Sequence, residues 1–134
     1  MIPNLGFMLF NADMIYPLGL SLVATLVVLA FKAVRTSLLD RWTLTGFLCV
    51  SLLWIALIPW SAVFLDAMQG KQVSPAWAYW PIFAVLFGWP VAAVALVYRA
   101  RGARFPSALY VLLNAPGWLL GFWVSGMAVS GDWI

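Results

Sequence analysis

Charged residues punctuate this chain at wide intervals, and between them run four apolar stretches without a single charged side chain. They cover about Met14 to Phe31, Trp42 to Leu65, Ala76 to Tyr98 and Ser107 to Ser130. A helix rises about 1.5 Å per residue, so roughly 20 apolar residues carry it across the hydrocarbon core of a bilayer. The pattern therefore predicts an all-α membrane protein, a four-transmembrane-helix bundle in which residues 1–134 form one domain (helices about 14–31, 42–65, 76–98 and 107–130). The opening segment 1–13, "MIPNLGFMLFNAD", is apolar but short, is broken by Pro3 and Gly6, and lacks the basic start and cleavage motif of a signal peptide. It reads as an interfacial or partner-contacting segment.

The connections between the stretches set the orientation. Lys32, Arg35 and Arg41 flank the first turn, and Arg99, Arg101 and Arg104 the third, whereas the loop between the second and third stretches carries only Lys71. Six basic residues against one predicts the basic turns in the cytoplasm and both termini on the non-cytoplasmic side. The same six cations are candidate contacts for anionic lipid headgroups or a partner.

Aromatic residues sharpen the depth scale. Trp42, Tyr98 and Tyr110 fall where an inner interfacial belt is expected, and Trp60, Trp77, Trp80, Trp133, Tyr16 and Tyr79 where an outer one is. Three tryptophans do not fit a belt: Trp54, Trp89 and Trp118 lie near the middle of their own stretches, beside Pro59, Pro90 and Pro116. A proline in a helix interior removes one amide donor and frees the carbonyl four residues earlier, here Ile55, Leu86 and Leu112. Such a carbonyl is costly in lipid unless it finds a donor. The indoles and the amide of Asn114 are the donors at hand. Trp54, Trp89, Pro90, Asn114, Pro116 and Trp118 thus form a candidate midplane patch, for packing or for a ligand.

Small residues recur every fourth position at Ala84, Gly88 and Ala92 in the third stretch and at Gly117, Gly121 and Ser125 in the fourth. This spacing lets helix backbones approach closely. It predicts a tight hairpin between the third and fourth helices, with a subunit contact as the other use of the same ridge.

Composition then narrows the chemistry. Apolar residues make up 66% of the chain and charged residues 8%, against about one-quarter in soluble domains, so this chain does not cover a water-facing surface. Histidine is absent, which removes imidazole ligation of haem or zinc, and Cys49 is single, which removes an internal dithiol. The acids are Asp13, Asp40, Asp66 and Asp132, all outside the four stretches. Catalysis and ion coupling inside a membrane depend on ionisable groups within the span. By subtraction, the expected role is a non-catalytic small integral-membrane subunit of a larger complex, in a bacterial inner membrane, with no metal and no nucleic-acid partner. Its partners would be membrane lipids and other integral-membrane subunits, and its ligand an apolar one such as a lipid, quinone or pigment. Two other readings stay open: a homo-oligomeric channel or facilitator for a neutral solute, lined by Asn114 and hydroxyls, and a lipid-acting enzyme using Asp40 with Arg99, Arg101 and Arg104.

Overall fold

The computed structural model describes residues 12–37, 40–64 and 74–130. Residues 1–11, 38–39, 65–73 and 131–134 lie outside the described residues, and with them Asp66, Lys71, Asp132, Trp133 and most of the segment 1–13. The described residues are 90% helix, with no strand among them. The elements are α1 (Ala12–Ala30), α2 (Lys32–Ser37), α3 (Arg41–Ile55), α4 (Leu57–Val63), a single 3-10 turn (Ala76–Tyr79), α5 (Trp80–Arg99) and α6 (Arg104–Ser130).

Among the described residues three helical segments are long and apolar enough to cross a membrane: Arg41–Val63, which joins α3 to α4, then Ala76–Arg99 and Arg104–Ser130. The apolar part of α1, Ile15–Ala30, is shorter. Within the chain, the most apolar stretches of the three long segments are only 39%, 28% and 33% buried. Their remaining surface is greasy and outward, so lipid or other protein must cover it.

Local chemistry explains where the helices start and bend. Asp40 caps α3: with extended backbone, it accepts from the Thr43 amide at 3.0 Å and from the Thr43 hydroxyl at 2.9 Å. Pro59 is the third residue of α4, and the break at Ala56 puts its missing N–H in a first turn, where no donor is needed. Pro81 sits likewise in the first turn of α5. Pro90 and Pro116 lie inside α5 and α6, which continue through them. Between those helices Gly102 adopts φ +147°, a conformation in which a Cβ is strained, and this allows the tight basic turn.

The longest helix, α6, is the spine of the bundle. It packs against α1, α3, α4 and α5, while α3 also packs along α5. Here the small-residue ridges behave differently from the predicted hairpin. Gly117 and Gly121 face the second segment, not α5: a Cβ built on Gly117 would lie 2.7 Å from Cε2 and Cζ2 of Trp54, and one on Gly121 would lie 3.5 Å from the Trp54 carbonyl. Ser125 continues this seam through a 2.6 Å bond with Ser61. Gly88 meets nothing within 4 Å, Ala84 is exposed, and Ala92 is half-buried. The reason is the bulk of Trp54, a fully buried indole that only a glycine on α6 accommodates. The Trp54 ring takes the notch at Gly117, while the large side chain that α5 brings to the same level, Trp89, stacks on Trp118 instead.

Candidate functional site

Asn114 is the polar centre of the bundle. It lies on α6, is fully buried, and its Oδ1 accepts from three directions. The Ser21 hydroxyl on α1 donates at 2.8 Å, the Trp54 indole on α3 at 3.3 Å, and the Ser51 hydroxyl on α3 at 3.4 Å. Its own Nδ2 donates to the carbonyl of Tyr110 at 2.9 Å, one turn back. One side chain thus ties α1, α3 and α6 together. In an apolar surround each such bond is retained because the alternative is an unpaired polar group.

Tyr110, expected at the level of the inner interfacial belt, faces the interior of the bundle and extends this network. It is buried, its ring meets Phe47 edge-on with centroids 4.9 Å apart, and its hydroxyl pairs with Ser51 and lies 3.4 Å from the Phe47 carbonyl. By contrast Trp42, Trp77, Trp80, Trp123, Tyr16 and Tyr98 are all exposed, as residues at or near a belt should be. Trp60 is half-buried and donates to the Ala78 carbonyl at 3.0 Å, pinning α4 to the 3-10 turn.

The three midplane tryptophans do come together, but not to serve proline-freed carbonyls. Trp89 stacks on Trp118 with centroids 4.8 Å apart and planes 8° from parallel, while Trp54 fills the notch at Gly117. The Trp89 indole crosses from α5 to donate to the Val50 carbonyl of α3 at 2.8 Å, and the Trp118 Nε1 is buried without a partner. Neither these indoles nor Asn114 donates to Ile55, Leu86 or Leu112. Each ring is held by a neighbouring helix, whose groups lie in the direction the ring points; a carbonyl on the ring's own helix does not. For Ile55 the helix break at Ala56 already absorbs the effect of Pro59.

Beside this network lies an open space. A cleft of about 420 Å³ separates α1 from α3 and is lined by apolar side chains, among them Leu18, Val28, Phe47 and Ile55. Its polar lining comes from Ser21 and Thr25 of α1, Ser51 of α3 and Tyr110 of α6. Leu22, Leu48 and Leu52 also line it and are about half or more exposed, at 63%, 48% and 54%, so the cleft opens sideways. The size falls within the range of about 300–1,000 Å³ usual for small-molecule sites, which are likewise mostly apolar with a few placed polar groups.

The cationic end is organised around Trp42. Arg99 of α5 lies 5.4 Å and Arg41 5.8 Å from the centre of its ring. Asp40 is close by, and the Thr43 hydroxyl and amide that donate to it, with a smaller contribution from the Arg99 charge, hold its carboxyl below the ordinary aspartate value. It is therefore a charged cap and not a proton donor. Arg99 and Trp42 also border a smaller groove of about 260 Å³ between α3 and α5, reaching to Cys49. Arg101 and Arg104 share a shallow surface with Phe105, and Lys32 and Arg35 lie on α2. Among the described residues no cluster of His, Cys, Asp or Glu gathers that could hold a metal ion.

Ser21, Thr25 and Tyr110 are the residues that sequence reasoning missed. One signal for Ser21 and Thr25 was present: they are two hydroxyls one turn apart in an otherwise aliphatic helix. Comparison with known protein families, with curated proteins and with solved structures finds no match for this chain.

Proposed function

We propose that the protein is a non-catalytic integral-membrane subunit, spanning the bilayer four times, that offers packing surface to other membrane helices and holds an apolar ligand in the cleft between α1 and α3. The observation that carries this reading is the unequal use of the two small-residue ridges. That of α6 is consumed inside the chain by Trp54, whereas Ala84 and Gly88 on α5 are left without a close neighbour. Phe83 and Phe87 beside them are exposed. A notch rimmed by large apolar side chains fits a helix from another chain better than it fits lipid tails.

The topology follows from charge. With the basic turns held in the cytoplasm, both termini and the loop around Lys71 lie on the other side, and a bacterial inner membrane is the setting proposed. For α1 to count as a fourth span, its 19 residues must cover about 28 Å, close to the hydrocarbon thickness of about 30 Å. A pore lined by Asn114 is the poorer reading, because that amide is enclosed and its Oδ1 is already shared by three donors. Acid–base catalysis at the basic turn is poorer still, because Asp40 is occupied as a helix cap.

The test is gentle extraction followed by native mass measurement, on the unaltered chain and on Gly88→Leu. The unaltered protein is expected to carry other membrane subunits. Gly88→Leu should release them, with Gly88→Ala, whose Cβ meets nothing within 4 Å, as the control that leaves the isolated chain's fold intact. A partner-free monomer from the unaltered protein would rule the subunit reading out.

A further inference from the structure

The hydroxyl protons around the α1–α3 cleft can be accounted for one by one. Thr25 donates to the Ser21 carbonyl at 2.8 Å, and Ser21 donates to Asn114 Oδ1 at 2.8 Å. Ser51 and Tyr110 share a bond whose direction is open, but both directions end the same way. If Tyr110 donates to Ser51, then Ser51 donates on to Asn114 Oδ1. If Ser51 donates to Tyr110, then Tyr110 donates on to the Phe47 carbonyl. In neither case is a proton left over. The Asn114 amide, the remaining side-chain donor nearby, does not line the cleft and is fully buried. What the cleft presents is therefore lone pairs. Those of Thr25 Oγ1 and Ser51 Oγ are the ones within reach, since both residues are half-buried and Ser21 and Tyr110 are nearly enclosed.

From this one-sided inventory we infer that the cleft is a site for an apolar lipid bearing a free hydroxyl, which donates a hydrogen bond to Thr25 or Ser51 while its hydrocarbon lies along Leu18, Leu22, Val28, Leu48 and Leu52. Long-chain alcohols, sterols and quinols share this chemistry. Esters, ethers and quinones do not: their oxygens only accept, and in this cleft they find no donor. Leaving such an oxygen buried and unpaired costs the desolvation of that group, whereas the hydroxyl recovers a bond. The occupant arrives from the bilayer through the side on which Leu22, Leu48 and Leu52 are exposed. The inference rests on the ligand-holding half of the proposed function and adds the polarity of the hydrogen bond.

The purified protein in detergent is titrated with palmityl alcohol and, separately, with its methyl ether, which keeps the chain and the acceptor but lacks the donor. Bound fractions are read by native mass spectrometry. The alcohol should bind about tenfold tighter than the ether. The double variant Thr25→Val with Ser51→Ala should bring the alcohol down to the level of the ether and leave the ether unchanged. A melting curve confirms that the variant is folded, and Thr25→Val alone, which touches no bond between helices, should give a partial loss if the double variant unfolds. Equal binding of alcohol and ether would overturn the hydroxyl preference while the cleft stands as a ligand site. Binding of neither would overturn both the preference and the ligand-holding reading.

Discussion

The two faces of α6 solve the same packing problem in different ways. Toward α3 the helix has glycine at 117 and 121, and the Trp54 ring closes on Gly117 so tightly that an added Cβ there has no room. Toward α1 it has Asn114, to which α1 docks through Ser21, while α1 stands off from α3 and leaves a cleft of about 420 Å³ between them. One seam is shape-complementary at Gly117 and carries hydrogen bonds as well, from Trp54 and Ser51 to Asn114 and between Ser61 and Ser125. The other is joined by the Ser21 bond and lies beside the open cleft. In lipid, where tails solvate a leucine as well as a neighbouring leucine does, apolar contact alone gives helices little reason to associate. Close backbone approach and buried hydrogen bonds are the two remedies, and this bundle uses both toward α3 and α4 and a side-chain hydrogen bond from Ser21 toward α1.

Substitutions that exchange these remedies should separate the two faces. The largest effect is expected from Gly117→Ala, whose Cβ would collide with ring atoms that have nowhere to go. It should lower stability in detergent by about 1–3 kcal/mol. Gly88→Ala, the same change on α5 where nothing lies within 4 Å, should be neutral or slightly stabilising in the isolated chain. If the two melt alike, the asymmetry between the ridges is wrong.

Asn114→Ala acts on the other face. It strips the acceptor from Ser21, Ser51 and Trp54, and should cost about 1–2 kcal/mol, concentrated in the docking of α1. Hydrogen exchange should then rise through residues 21–28 more than through α5. Uniform exchange across the chain would mean that Asn114 does not hold α1 in particular.

The smallest effect belongs to the basic turn. Asp40 has a lowered carboxyl pKa, so its cap contributes above the ordinary aspartate value and is lost as the pH falls through the lower folded value. Acidification should loosen the start of α3 only weakly, because the carboxylate is exposed and screened by solvent. Thr43→Val should remove the hydroxyl contribution, so that the loosening sets in at a higher pH. An acid transition that begins near neutrality would point to a different group.

How much of this could be read from residues alone depends on which physical signal carried it. Length and hydropathy located every long helix, because the bilayer imposes a length that a charge-free run must meet; Arg41–Val63 and Arg104–Ser130 follow those runs closely. The small-residue spacing correctly marked Gly117 and Gly121 as sites of close approach, but spacing says nothing about the neighbour, and Trp54 on α3 was the partner, not Gly88. The distance of Tyr110 from the helix start gives its level but not the face it occupies, and the pairing of its hydroxyl with Ser51 inside the bundle depends on that face. The convergence of Ser21, Ser51, Trp54 and Asn114 joins residues 93 positions apart at its widest. No local pattern encodes that. It depends on how α1 rotates against α6.

The central claim is that the seam between α3 and α6 is closed at Trp54 while the space between α1 and α3 is open, and photolabelling in a bilayer tests it most directly. A small apolar diazirine is allowed to equilibrate with the reconstituted protein, irradiated, and its insertion sites mapped by mass spectrometry. Label is expected on Leu22, Leu48 and Leu52 around the cleft, with none on Trp54, Gly117 or Gly121. Insertion at Gly117 and Gly121 as frequent as at the cleft leucines would contradict it.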